Sequence, residues 1–127
     1  MNNKQQISSG TPYENIVGYS RAVKAGNVIE ISGTTALDKE IVVGKGDIYA
    51  QSVFIFQKIE KILIEAGSSL KDVVRTRMFV TDITKWEQIA RAHSLFFAEI
   101  KPATTMVEVS RLIDPELLIE IEVTAVV

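Results

Sequence analysis

The sequence predicts an α+β domain: a mixed sheet with two helices packed on one face. Three observations predict it. Two stretches, around 48–66 and 84–100, carry apolar residues at helical spacing. Several others alternate apolar and polar residues with a period of two, as half-buried strands do. Their order, ββ(β)αβαββ, contains no internal repeat and no low-complexity segment.

Residues 1–12 are polar, end in Ser-Ser-Gly-Thr-Pro and read as a loose arm ahead of a single domain at 13–127. VGYSRAV (17–23) and NVIEISG (27–33) read as strands, with Lys-Ala-Gly-Asn as the turn between them. A loop at 35–47 follows, with room for a short strand at 41–43. Asp47 is placed to cap the first helix. Ile55, Ile59, Ile62, Leu63 and Ala66 form its apolar stripe, and Gly67 is a natural stop. VVRTRMFVTD (73–82) is the next strand. Thr84-Lys85-Trp86-Glu87 then has the form of a capping box. Trp86, Ile89, Ala90, His93, Phe96, Phe97 and Ile100 make the second stripe, with Trp86 as its anchor, and Pro102 ends it. Two glutamate-bearing strands, PATTMVEVS and IEIEVTAVV, close the chain.

Alternation sorts the strand residues onto faces. Tyr19 goes with Arg21, Glu30 with Ser32, and Arg75 and Arg77 with Phe79. Thr104, Met106 and Glu108 share one side of their strand, and Glu120, Glu122 and Thr124 share one side of theirs. If the helices cover the aliphatic side, all of these gather on the other. Arginines and glutamates with Tyr19, Phe79 and Met106 among them suit either a solvated sheet face or a subunit interface held by ion pairs. On the second reading Glu108 and Glu122 pair with Arg75 or Arg77, and Glu120 points into a cleft.

Composition narrows the function. The chain has 127 residues, a formal net charge of −2 and a pI of about 5.4. It lacks the basic surplus that binding to phosphate backbones calls for. There is no cysteine, so disulfides, thiolate metal sites and cysteine nucleophiles are excluded. A single histidine argues against a zinc centre. The polar start, MNNKQQISSG, has no secretory h-region, and no apolar run is long enough to span a membrane. The expectation is a cytoplasmic protein. GKGD (44–47) lacks P-loop spacing and is explained as a turn with a helix cap.

The segments GYSRAV, NVIEISGTTA, VVRTRMFVTDI, RAHSLFF and PATTMVEVSRLIDPELLIEIEVTAV resemble the Rid (reactive intermediate deaminase) family, also called YjgF or L-PSP endoribonuclease-like. The resemblance runs from about Tyr13 to the last residue. It implies a chorismate-mutase-like fold. It also implies a homotrimer, with the sheets forming a central barrel and clefts between subunits. Such members hydrolyse reactive enamines and imines to 2-oxo acids and ammonia without a cofactor. Glu120 matches the glutamate that orients the attacking water. Tyr19 matches a cleft aromatic, and Ser32 and Gly33 match a Ser-Gly pair followed here by Thr34. Thr104 stands where deaminating members carry the arginine of a Pro-Ala-Arg-Ser run. Met106 replaces a cysteine and Ala90 an asparagine. The chain is similar to a branch that reads Pro-Ala-Thr-Thr.

That arginine grips a substrate carboxylate with two charge-assisted hydrogen bonds, and a threonine offers one neutral bond. Losing such a pair in a partly buried site costs about 2–5 kcal/mol. Turnover of small 2-iminoacids is therefore expected to be weak or absent, and Thr104→Arg to raise it. A replacement cation would come from Arg21 or Arg77, with Arg77 better placed to pair with a glutamate. The implied site is catalytic Glu120 with ligand contacts from Tyr19, Arg21, Ser32, Gly33, Thr34, Thr104 and Met106, and no metal. His93, on an apolar stripe, reads as a packed histidine with one hydrogen bond. Three function classes follow: a deaminase or related hydrolase, a trimeric small-molecule binder or sensor, and an RNA-cleaving translation inhibitor. The acidic balance weighs against the third.

Overall fold

The computed structural model of the chain describes residues 4–127. Six strands form one sheet: β1 (Lys4–Ile7), β2 (Ala22–Ala25), β3 (Val28–Thr34), β6 (Val73–Val80), β7 (Ala103–Glu108) and β8 (Ile119–Val126). Their spatial order is β1-β2-β3-β8-β6-β7. Every pair is antiparallel except β6 with β7, so the sheet is mixed as predicted. Strands β4 (Leu37–Asp38) and β5 (Ile41–Val42) make a separate small hairpin. The helices are α1 (Pro12–Val17), α2 (Ile48–Glu65) and α3 (Trp86–Phe97).

Helix α2 forms where the spacing placed it. The Asp47 carboxylate accepts from the Ala50 amide at 3.0 Å, and Gly67, at φ 80°, takes the left-handed turn that follows the helix. Ile55, Phe56, Ile59 and Leu63 are fully buried, together with Ile89 and Phe97 of α3. They pack on the sheet face that carries Ile29, Val80, Ile119 and Ile121. Burying each such side chain is worth about 1.5–3 kcal/mol.

Gln51 is one of the polar side chains buried in this core. Its amide nitrogen donates to the carbonyls of Gly44 at 3.2 Å and Glu116 at 2.9 Å, and its oxygen accepts from the Leu118 amide at 2.9 Å. It thus ties α2 to the turn between β5 and α2 and to the loop before β8. Gln51→Leu should lower the unfolding free energy by about 2 kcal/mol, because the Glu116 carbonyl and the Leu118 amide lose this partner at once, while the Gly44 carbonyl keeps the Asp47 amide. Denaturant unfolding checks this; a loss below about 0.5 kcal/mol would deny Gln51 the role.

The structure corrects four expectations. Residues 4–12 are not loose; residues 1–3 of the expected arm lie outside the described residues. β1 pairs with β2 along its whole length. Glu14, buried at 5% exposure, accepts from the Ser9 amide at 3.0 Å and from the Ser9 hydroxyl. Burial alone would raise the Glu14 carboxyl, but hydrogen bonds from Ser9, Ser8 and Thr11 outweigh it and hold the pKa below its ordinary value.

The stretch expected as a strand at 17–23 begins in helix α1, which Gly18 ends at φ 90°, and only Ala22 onward is strand. Before α3, Asp82 rather than Thr84 does the capping: it accepts from the Thr84 amide at 3.1 Å and opens a 3₁₀ turn at Ile83–Lys85. The buried stripe of α3 therefore starts at Ile89, and Trp86 is 54% exposed rather than an anchor.

The fourth correction concerns β7. It pairs with β6 in the register Thr76↔Thr104, Met78↔Met106 and Val80↔Glu108. Thr76, Met78 and Val80 are buried on the helix side. Thr104, Met106 and Glu108 therefore share the helix side and not the face of Glu120. Glu108 accepts from the Ile83 amide at 3.0 Å, which secures the turn before α3 instead of pairing with an arginine. The open face keeps the rest. Arg77 and Glu122 lie opposite each other and approach to 3.6 Å. Arg75 donates to the Thr105 hydroxyl, and Thr124 to the Glu30 carboxylate, each at 2.6 Å. Such cross-strand pairs are the ordinary unit of sheet stabilisation.

Candidate active site

An open cavity of about 1320 Å³ lies where β3 and β8 meet α2 and the β4–β5 hairpin. A bulge in β3 builds its floor. The β3–β8 register slips between Ile31 and Thr34, so Ser32 and Gly33 leave the regular ladder. The Ser32 amide instead donates to the Arg21 carbonyl at 3.0 Å, and its hydroxyl to the Ser20 carbonyl at 2.7 Å. These bonds hold the Tyr19–Arg21 segment against the bulge.

Gly33 is there for space. A Cβ at this position would overlap the Glu120 carboxylate, first at Oε2 and then at Cδ and Cγ. The carboxylate therefore rests over the bare glycine backbone, at the cavity wall. Burial pushes the Glu120 pKa up; Arg21 pulls it down and Glu122 adds to the rise, and the net shift is upward. A carboxyl whose pKa is raised is better suited to give and take a proton than an ordinary one.

Arg21 is only 6% exposed. Its Nη2 donates to the Gly33 carbonyl at 2.6 Å, and its guanidinium stands 5.5 Å from the centre of the Tyr19 ring. Its Nε is buried with no partner. Tyr19, Arg21, Ser32, Gly33 and Glu120, all expected from the sequence, thus line one cavity. Thr34 does not join them: it is fully buried, and its hydroxyl donates to the Ser32 carbonyl at 2.8 Å.

Thr104 and Met106 line a second, smaller hollow of about 270 Å³ between α3 and β7. There His93 Nε2 lies 2.9 Å from the Thr76 hydroxyl and 3.2 Å from that of Thr104, and the two hydroxyls touch each other. The imidazole stands edge-on to Phe56 and 4.8 Å from the Phe97 ring. Burial lowers its pKa and favours the neutral ring. It is packed, as expected, but with two hydroxyl neighbours rather than one.

Sequence reasoning missed the α2 wall of the large cavity. Phe54, Gln57, Lys58 and Lys61 line it at positions i, i+3, i+4 and i+7. Their spacing was a signal, masked because lysines on a helix ordinarily read as solvated. Among the described residues there is no cluster of ligating side chains for a metal ion and no helix long and apolar enough to cross a membrane.

The architecture and the cavity together define a small α+β domain whose open sheet carries a half-buried carboxylate, its pKa raised, beside a buried arginine. The model of the family described as Endoribonuclease L-PSP matches residues 11–127, and the chain belongs to this family, known also as YjgF or Rid. The chain is similar to a structure described as Rv2704, a member of the YjgF/YER057c/UK114 family from Mycobacterium tuberculosis. That match has 44% identity, a TM-score of 0.90 and coverage of 98% of this chain and 100% of that one. It is 37% identical to the 3-aminoacrylate deaminase RutC of Acinetobacter baylyi over 116 residues, 91% of this chain and 90% of that protein. A RutC family protein of Pyrococcus abyssi is 41% identical over 108 residues, 84% of each chain.

Proposed function

We propose that the chain is a cofactor-independent hydrolase of small imines or enamines that bear a carboxylate, with Glu120 as its acid–base group. The observation that carries this reading is the Glu120 carboxylate seated over Gly33 at the wall of a large cavity, with its pKa raised. The deaminase named among the similar proteins supports it. In the reaction Glu120, protonated, gives its proton to the imine nitrogen. As carboxylate it then takes a proton from a water whose oxygen bonds to the imine carbon. Glu120 passes that proton on to the amino nitrogen of the resulting carbinolamine, the C–N bond breaks and ammonia leaves, and the hydroxyl proton returns to Glu120 as the carbonyl product forms.

The cavity works within a homotrimer. Tyr19, Arg21, Ser32, Gly33 and Glu120 sit at one place in the chain, and Thr104 and Met106 at the sheet's far edge, beyond β6. β7 is an edge strand with Val107 39% exposed, a surface suited to cover by another copy. Placing the β7 edge of one copy against the cavity of the next brings both sets into one cleft. Sedimentation at micromolar concentration should give the trimer mass; a monomer would overturn the assembly.

Ammonia release from 2-iminobutyrate or 2-iminopropionate generated in situ tests the chemistry. The expected result is release above the uncatalysed rate, yet roughly 30- to 5,000-fold slower than that of an arginine-bearing relative if nothing replaces that arginine. Tight binding of such acids with no ammonia released would favour the second reading, a binding or sensing protein. That reading draws on Thr104, whose hydroxyl is already engaged by His93 and Thr76.

A further inference from the structure

We propose that Arg21 and Lys58 form an anion-binding site on the α2 side of the large cavity, and that it takes the carboxylate of a small 2-oxo or 2-imino acid. The inference rests on the hydrolase reading above and goes beyond it by supplying the cation that Thr104 does not provide.

Lys58 is held in place. Its Nζ donates to the Leu37 carbonyl at 2.9 Å and lies 5.7 Å from the centre of the Phe54 ring. An ammonium has three donors, so two remain for a ligand. Arg21 faces the same cavity with its Nε buried and unpartnered. Neither cation forms an ion pair among the described residues; the two recorded pairs are Lys45–Glu116 and Arg77–Glu122. Burial lowers the Lys58 pKa and the Arg21 charge lowers it further, with only Asp38 opposing. Asp38 itself is exposed at the rim.

Arg21 and Lys58 line one cavity and repel each other, with the Glu120 and Asp38 carboxylates only partly offsetting that repulsion, and a bound carboxylate adds an attraction to both. A planar carboxylate matches this pair of donors. Arg21 also sets the orientation: it holds the Gly33 carbonyl and the Glu120 carboxylate rests over Gly33, so an acid held there carries its adjacent C=N carbon on the Glu120 side. The two groups that bind and react would then come from one chain.

Calorimetric titration of the full chain with 2-oxobutyrate and its neutral amide, 2-oxobutanamide, tests the site. The acid should bind at least about tenfold more tightly than the amide, the size of one charge-assisted bond. Lys58→Met should lower acid affinity at least about tenfold and leave the amide unchanged, and Lys58→Arg should keep acid affinity within about threefold. Equal binding of acid and amide, no binding of either, or wild-type acid affinity in Lys58→Met each overturns the site. Melting temperatures confirm that the variants are folded. Glu120→Gln separates the two claims, because it should keep acid binding and lose ammonia release. Intact acid binding with no ammonia release in the wild type strikes the hydrolase reading alone. Ammonia release with equal acid and amide affinity strikes the anion site alone.

Discussion

Glu120→Gln should yield a folded protein whose ammonia release falls by about 10²- to 10⁴-fold, the usual share of a general acid–base group. The same substitution should raise the melting temperature at neutral pH. Burial, opposed by Arg21 and aided by Glu122, lifts the Glu120 pKa above the ordinary 4.5, so the folded state prefers the protonated carboxyl. That preference stabilises the fold fully below pH 4.5 and is lost as pH rises through the raised value. At neutral pH the ionised carboxylate is a cost that a glutamine lacks. The gap in melting temperature between variant and wild type should therefore widen from acid to neutral pH. Paired melts across that range check it. A variant less stable than wild type at neutral pH, or one that fails to assemble, would make Glu120 a structural group and remove it as the acid–base candidate.

The sequence exposed the parts of the fold whose signals are local. The α2 stripe, the Asp47 cap and the Gly67 stop all reside within one element and needed no tertiary knowledge. β1 did not show because Lys-Gln-Gln-Ile has no alternation of its own; it is strand only because β2 offers it a ladder. The Tyr19–Arg21 segment reads as strand in composition, yet it is the bulge at Ser32 and Gly33 that holds it. β7 failed in an instructive way. Alternation assigns two faces to a strand but not which one meets the helices, and a one-residue choice inverts them all. The parallel register with β6 makes that choice, and it sends Thr104, Met106 and Glu108 to the helix side. The site was legible where family likeness and local geometry agreed, at Tyr19, Arg21, Ser32, Gly33 and Glu120. Lys58 was invisible because its role depends on Arg21, which lies 37 positions earlier in the chain and meets it only in the fold.

Gly33→Ala should be nearly silent in stability and severe in activity. Gly33 does not occupy a left-handed backbone conformation, so alanine meets no backbone strain there. All three nearest atoms to the added methyl belong to the Glu120 side chain. That side chain is flexible enough to swing away, which spares the fold and displaces the carboxylate. A misplacement of about 1 Å in a reacting group can cost on the order of 10²-fold in rate. Unfolding free energy should change by less than about 1 kcal/mol, the ordinary range for a mild substitution. Affinity for 2-oxobutyrate should stay near wild type, since Arg21 holds the Gly33 carbonyl and not its Cα hydrogen. The double variant with Glu120→Gln should be no slower than Glu120→Gln alone, because both substitutions remove the same carboxylate from the same place and their effects cannot add. Near-normal ammonia release from Gly33→Ala would mean that the carboxylate reacts from elsewhere, and the bare glycine would then serve only the packing of the bulge.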